Sequence, residues 1–265
     1  MKLLEVPYTP YGTADELTSN IRSAIGRGLP EYAPALCSHD GTFVIVGSGP
    51  SLPAHLEEIR EQRALGRPIL ACNGAHDFLC EHGLAPDLFL TVDPRNTIIP
   101  NTQKKNAHTV YLLASRCSPE LFDHLSDCKV MLWHSWQSPN EANAESAAIN
   151  GKFAIGGGTT SGTRAIYVGY CMGFRRFIVF GLDSCLADDG HTKRFSGEQI
   201  TDKHVIEVFV GGPDGKRFLT NTPMAQQASE IQAVMQTIPN ATFDFRGPGL
   251  IAAIWAERKA RNLPV

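Results

Sequence analysis

From Phe43 onward the chain alternates short apolar runs with amphipathic stretches. Phe43-Val-Ile-Val46 ends abruptly in Gly47-Ser48-Gly49-Pro50-Ser51, the pattern of a buried parallel strand with a glycine turn behind it. Leu52, Leu56 and Ile59 then fall at helical spacing with charges between them. Ser51 suits the N-cap, Pro53 the first turn and Gly66 the stop, which predicts a helix over about 53–65. Pro68–Cys72, Asp87–Val92, Thr109–Leu113, Lys129–Trp133 and Phe177–Phe180 read as further buried strands. Helices are expected through Phe78 and Leu79, closing at Gly83, and from Ser118 to Leu125 with Ser118 as cap. A second glycine turn, Ile155–Gly162, precedes a helix carrying Ala165, Ile166, Val168 and Met172 on its apolar face and ending at Gly173.

The flanks follow other patterns. Asp15–Ile25 predicts a short helix inside an otherwise irregular N-terminal arm, which lies on the core or on a neighbouring subunit. Residues 135–153 are polar and irregular, a flap over the site or a plain surface excursion. Beyond Asp183, two β-rich runs straddle Gly211–Gly215, a hairpin signal. An amphipathic helix over Thr222–Ile238 with Thr222 as cap, a strand at Ala241–Phe245 and a terminal helix over Ile251–Arg261 complete the chain.

Repeated strand–helix alternation with short connections predicts an α/β fold: a Rossmann-like, doubly wound, mostly parallel sheet with a small C-terminal α+β extension. The expected divisions are an N-terminal arm over 1–41, a nucleotide-binding core over 42–200, and a hairpin with helices over 201–265 that completes the same domain. Ligands of such sheets bind at the carboxyl ends of strands, near a reversal of strand order. Gly47–Ser51, Asn73, Asp93, Ser115 and His134 all fall at predicted strand ends.

Composition narrows the class. The 265 residues carry a net charge of −3 and no long basic run, so nonspecific nucleic-acid binding is disfavoured. No apolar stretch reaches the length of a membrane span and no signal-peptide core is visible, which predicts a cytoplasmic protein without a membrane partner. Seven cysteines without a C-x-x-C pair, mostly inside apolar segments, fit reduced thiols better than disulfides or a zinc site.

Both glycine turns combine bare backbone N–H groups with the positive end of a helix dipole, a setting that favours an anion. Neither is a full G-x-G-x-x-G fingerprint or a Walker A loop, because Leu52 replaces the third glycine and no Gly-Lys-Ser/Thr follows. Tight packing alone also explains such turns.

Gly47-Ser-Gly-Pro-Ser-Leu52, Asn73-Gly74, Pro86-Asp87, Asp93 and the block Gly158–Asp183 resemble the 6-hydroxymethylpterin diphosphokinase MptE-like family, which includes the central domain of the motility accessory factors. They are also similar to Campylobacter-type bacterial sialyltransferases, and to stand-alone proteins encoded in phages and prophages. The resemblance spans roughly residues 42–192. It implies a nucleotide-binding Rossmann-like fold in every branch, with ATP-dependent diphosphate transfer in one and CMP-sugar glycosyl transfer in another.

On that basis Gly47, Ser48, Gly49, Pro50 and Ser51 are expected to bind nucleotide phosphate or ribose, Asn73 the base or ribose, and Thr160, Ser161 and Gly162 a second phosphate region. Asp93 and Asp183 would hold Mg²⁺ in a diphosphokinase, whereas a sialyltransferase-like enzyme needs no metal. Asp183 and His191 are the catalytic candidates, with His191 as general base and His134 as a weaker second. Lys193 stands where many relatives carry an aromatic residue; Lys193 and Arg194 are suited to neutralising phosphate. Three readings stand in order: diphosphate transfer from ATP to a hydroxymethylpterin-like alcohol, CMP-sugar transfer to a glycan, and nucleotide binding without catalysis. The partners are then ATP or a cytidine nucleotide, a small-molecule or glycan acceptor, and a second copy of the chain if the arm reaches it.

Overall fold

The structure, a computed structural model, describes residues 11–136, 148–200 and 205–261. Eight strands form one sheet: β1 (Thr42–Val46), β2 (Ile69–Cys72), β3 (Leu88–Thr91), β4 (Val110–Ala114), β5 (Lys129–Ser135), β6 (Ala154–Ile155), β7 (Arg176–Phe180) and β10 (Thr242–Phe245). Their spatial order is β10-β7-β1-β2-β3-β4-β5-β6, and every adjacent pair is parallel. The chain runs outward from β1 to β6 and then returns to lay β7 against the other side of β1. The crevice between β1 and β7 is therefore the switch point of the sheet.

Continuous apolar runs build this sheet because helices cover both faces. On one face, Val44, Val46, Ile69 and Ala71 pack with Leu52, Ile59 and Leu79. These come from the segment behind β1, which includes helix α2 (Leu56–Ala64), and from α3 (Ala75–Glu81). On the other face, Phe43 and Ile45 join Ala165, Ile166 and Val168 of α5 (Ser161–Cys171). Each Val, Leu, Ile or Phe side chain among them, fully removed from water, contributes about 1.5–3 kcal/mol. Helix α4 (Pro119–His124) starts where Ser118 accepts a hydrogen bond from the Leu121 N–H, as its sequence predicts.

The described part of the N-terminal arm, from residue 11, lies on the core of the same chain. Helix α1 (Ala14–Gly26) opens with a reciprocal capping box between Thr13 and Glu16 and buries Leu17, Ile21 and Ala24. The Asn20 amide donates to the Arg116 carbonyl, and Arg27 donates to Pro119. Tyr32 and Leu132 then extend the pairing to the β5 backbone.

C-terminal to β7, strands β8 (Ile206–Val210) and β9 (Lys216–Thr220) form a separate antiparallel hairpin. Helix α6 (Thr222–Thr237) follows, then β10 at the edge of the main sheet and α7 (Leu250–Ala260). The C-terminal segment thus adds a parallel strand to the core sheet. Among the described residues, no helix is long and apolar enough to cross a membrane.

Several local expectations change. The predicted helix after the first glycine turn begins as a 3₁₀ turn, Leu52–His55, and becomes α-helical only from Leu56. Ser51 does not cap it, because its hydroxyl is directed to Asp183 instead. Asn221, one residue before Thr222, caps α6 by accepting from the Met224 N–H. His134 lies inside β5 rather than at its end, because the strand continues to Ser135. Most of the 135–153 loop, residues 137–147, lies outside the described residues.

Candidate functional site

The turn after β1 and the turn after β7 cross at the switch point with almost no space between them. A Cβ on Gly47 would lie 2.5 Å from the Gly181 carbonyl oxygen, and one on Gly181 would lie 2.4 Å from that of Gly47. Gly181 also adopts φ +62, which a side chain would strain. The N–H groups of Gly47 and Gly49 donate to the Phe180 and Gly181 carbonyls at 2.8 Å. The Ser51 N–H and hydroxyl both bind the Asp183 carboxylate, at 2.8 and 2.6 Å. The first glycine turn is thus held by bonds to the β7 turn. The expectation that Gly47, Gly49 and Ser51 cradle phosphate through backbone N–H groups meets donors that already have acceptors.

A cleft opens at the carboxyl ends of the central strands. Gly47–Pro50 form one wall, with Gly181–Cys185 beside them and Asn73, Asp93 and Arg116 contributed by successive strand ends. Thr160, Ser161 and Gly162 close the opposite side. The structure therefore brings together most of the residues expected to bind nucleotide. Ser51 points its hydroxyl to Asp183, and His191 does not line the cleft.

The second turn is braced from two directions. Thr160 caps α5 by accepting from the Thr163 N–H. Glu230 of α6 accepts from the Thr159 N–H at 2.9 Å, and the Gln227 amide donates to the Thr160 hydroxyl. Gln227 also accepts from Ser184 at 2.6 Å, which ties the turn before α5 to the turn after β7. The Ser161 hydroxyl bridges the Val92 N–H and the Asn73 side-chain oxygen. Asn73 and Ser184, both in the cleft, hold left-handed backbone at φ 49 and 51. Non-glycine residues reach that region at a cost of about 1–3 kcal/mol, and such strain concentrates where side-chain direction matters.

Four cations, Arg95, Arg116, Lys193 and Arg194, line the cleft against two carboxylates, Asp93 and Asp183. Lys193 and Arg194 reach it because their loop is pinned over the first turn: the Phe195 N–H donates to the Ser48 carbonyl, and Phe195 packs on Phe78. Both cations pair with Glu198, at 2.7 and 2.9 Å. Arg95 grips Asp93 through two nitrogens and lies 3.7 Å from the centre of the Tyr11 ring. Arg116 is buried and Gln227 belongs to a helix outside the core pattern; neither carries a motif that reading the sequence would single out. Arg95 and Arg116 do follow strand ends, which is the one available signal.

The two acidic candidates differ from the metal ligands expected. Asp93 has both oxygens on Arg95, and Asp183 has both on Ser51. Among the described residues, no group of three His, Cys, Asp or Glu side chains converges as a metal site. Either carboxylate would hold a Mg²⁺ ion only together with substrate phosphate oxygens, and by sharing or exchanging its present partners, Arg95 for Asp93 and Ser51 for Asp183. Burial raises the Asp183 carboxyl above the ordinary aspartate range, while the Ser51 hydrogen bonds oppose that shift.

His191 is exposed, in a loop ordered by Asp189. That carboxylate accepts from the backbone N–H groups of His191 and Thr192 and from the Thr192 hydroxyl. His134 is buried, 3.0 Å from the Ser115 hydroxyl and 3.7 Å from Glu31. Burial lowers its pKa and, like His191, it stands apart from the cleft. Asp87, one of the resemblance landmarks, is structural: it binds Arg63 through both oxygens and accepts from the Ile69 N–H, fastening α2 to the start of β2.

Comparison with known proteins adds a second line of evidence. The family model described as 6-hydroxymethylpterin diphosphokinase MptE-like matches residues 15–189. A 6-hydroxymethyl-7,8-dihydropterin pyrophosphokinase of Methanothermobacter thermautotrophicus is 26% identical over 144 residues, covering 53% of this chain and 56% of that protein. An uncharacterized protein of Treponema pallidum is 42% identical over 52 residues, covering 20% of this chain and 24% of the relative. The match therefore spans little more than half of the pyrophosphokinase and a quarter of the other. The structure of a MAf glycosyltransferase from Magnetospirillum magneticum superposes with a TM-score of 0.67 at 14% identity, over 95% of this chain and 43% of that one. At that identity the likeness concerns the fold.

Proposed function

Because the chain belongs to the 6-hydroxymethylpterin diphosphokinase MptE-like family, we propose that it is a nucleotide-dependent transferase that moves diphosphate from ATP to a hydroxymethylpterin-like alcohol. The observation that carries this reading is the cationic cleft at the switch point, where four basic side chains face two internally paired carboxylates. A polyphosphate fits such a site better than a neutral ligand does. Its oxygens compete with Glu198 for Lys193 and Arg194, and the helix dipole of α5 adds positive potential at Ser161 and Gly162.

In the reaction the acceptor hydroxyl oxygen bonds to the β-phosphorus. The bond from that phosphorus to the α,β-bridging oxygen breaks, and AMP leaves with the electron pair. The hydroxyl proton passes to Asp183, whose raised pKa suits a base better than an exposed aspartate. Asp183 replaces His191 in this role because it lines the cleft and His191 does not. The cleft cations provide the charge neutralisation, so no step is assigned to Mg²⁺.

One observation favours CMP-sugar transfer as the second reading: Asp93 and Asp183 are internally paired, as suits a metal-independent site. The likeness to the MAf glycosyltransferase fold is compatible with it. A thermal-shift panel of ATP, GTP, CTP, CMP and CDP, with Mg²⁺ or with EDTA, separates the readings, because a ligand bound to the native state raises Tm. Stabilisation by ATP supports diphosphate transfer. Preference for CMP or CTP without regard to metal supports the glycosyl reading. No shift with any nucleotide overturns both.

A further inference from the structure

One aromatic side chain of the cleft comes from outside the part of the chain that the family model matches. Tyr11 lines the cleft beside Asp93, Pro94 and Arg95 and is 48% exposed, whereas the match covers residues 15–189. The Arg95 guanidinium carbon stands 3.7 Å from the centre of the Tyr11 ring, a close cation–π contact. An exposed ring at the wall of a cleft is a surface on which a flat ligand can stack.

Both members of this pair are held in place. Arg95 donates through Nε and Nη2 to the Asp93 carboxylate at 2.8 and 2.6 Å, and its backbone N–H donates to the same carboxylate at 3.0 Å. With Nε and Nη2 committed, the guanidinium presents its flat face to Tyr11. Asp93 is fixed in turn, because its N–H donates to the Thr91 hydroxyl at the end of β3. Tyr11 stands two residues before Thr13, the cap of α1, and Gly12 turns the chain between them at φ +101. Helix α1 is anchored by buried Leu17 and Ile21 and by the Asn20 amide on the carbonyl of Arg116, itself a cleft residue. The helix thus sets the ring at the cleft, against a guanidinium held by the end of β3.

The pair also adjoins the cations assigned to phosphate. The Asp93 hydrogen bonds are the chief cause of a raised Arg95 pKa, and Glu198, the partner of Lys193 and Arg194, adds to it.

We propose that Tyr11 and Arg95 form the platform for the nucleobase: the planar base stacks on the Tyr11 ring and extends the Arg95–Tyr11 pair, while the phosphates lie on Lys193 and Arg194. The assignment rests on the nucleotide reading of the cleft. Stacking needs only a π-face, so the platform holds a purine or a pyrimidine without reading its edge. Part of the affinity for nucleotide is then supplied by the arm rather than by the matched core.

The test is titration calorimetry of ATP, CTP and inorganic tripolyphosphate into the full chain and into its Tyr11→Ala and Tyr11→Phe variants. All three ligands carry a chain of three phosphates, and only the nucleotides carry a base. The unsubstituted protein should bind nucleotide more tightly than tripolyphosphate. Tyr11→Ala should weaken whichever nucleotide binds about tenfold, the scale of one base–aromatic stack, and leave tripolyphosphate unchanged. Tyr11→Phe keeps the ring face and should keep the affinity. Tyr11 is exposed and precedes α1, so both unliganded variants should melt with the unsubstituted protein. Undiminished nucleotide affinity in Tyr11→Ala, an equal loss for tripolyphosphate, or a loss in Tyr11→Phe as large as that in Tyr11→Ala overturns the platform. Equal binding of nucleotide and tripolyphosphate by the unsubstituted protein, the outcome if the ring serves the acceptor, also overturns it and leaves the cationic cleft standing. Binding of none of the three overturns the nucleotide reading, and the platform with it.

Discussion

Ser51 and Asp183 stand 132 positions apart in sequence, yet the Ser51 hydroxyl lies 2.6 Å from one oxygen of the Asp183 carboxylate and its N–H 2.8 Å from the other. This bracket locks the turn after β1 to the turn after β7. Ser51→Ala leaves a buried carboxylate oxygen without its partner, at a cost of about 1–3 kcal/mol. Urea unfolding should show that loss. Nucleotide binding should persist, because Ser51 does not line the nucleotide cleft, while group transfer should fall. Unchanged stability would mean that the backbone bond alone carries the bracket.

The glycines at the crossing make a separate prediction. Gly47→Ala and Gly181→Ala each place a methyl group within 2.5 Å of a backbone carbonyl. Neither neighbour is a flexible side chain, so the sheet itself must move, and destabilisation of at least about 3 kcal/mol is expected. Gly66→Ala provides the control. Its φ of +70 is strained for alanine, but nothing lies within 4 Å of the new atom, so the cost should be about 1 kcal/mol. Equal effects at Gly47 and Gly66 would show that the crossing tolerates expansion.

The glycine turns explain why the fold was more legible than the site. Apolar runs and caps act locally, so the strands, Ser118 and the short helices emerge from neighbouring residues alone. A turn rich in glycine and serine has the same appearance whether it approaches a ligand or another backbone. Only the tertiary structure reveals that Gly47 faces Gly181 and that Asp183 receives Ser51. For the same reason Asp93, which has a metal ligand's chemistry, is found in an ion pair with Arg95. Gln227 was invisible in the sequence because its partners, Thr160 and Ser184, arrive from opposite sides of the switch point.

Lys193 and Arg194 test the cationic cleft. Each is paired with Glu198 on a loop fastened to Ser48, so neither holds the sheet together. Lys193→Met and Arg194→Met should each weaken nucleotide binding about tenfold, the worth of one charge-assisted hydrogen bond. The salt dependence of binding should become shallower, with a change in Tm of the unliganded protein within about 2 °C. Titration calorimetry at low and high ionic strength reads both quantities. Undiminished affinity in the double variant would place the phosphates elsewhere in the cleft.

Asp183 also leaves a signature in the pH dependence of stability. Burial raises its carboxyl pKa above the ordinary value of 3.8. Below that value the folded and unfolded chains are both protonated at this site, and its stabilising contribution is complete. As pH rises, the unfolded chain releases the proton first, and the contribution is lost through the folded-state pKa. Asp183→Asn cannot ionise, so its stability relative to the unsubstituted protein should climb across this window and then level off. The substitution also loses an acceptor for Ser51, which displaces the whole difference curve without changing its slope. Glu31 and Asp77, whose pKa values are lowered, destabilise both proteins alike at acid pH and cancel from the difference. Urea unfolding between about pH 4 and 8 measures the curve. A flat difference would mean that the Ser51 bonds fully offset burial and that Asp183 is no better a base than an exposed aspartate.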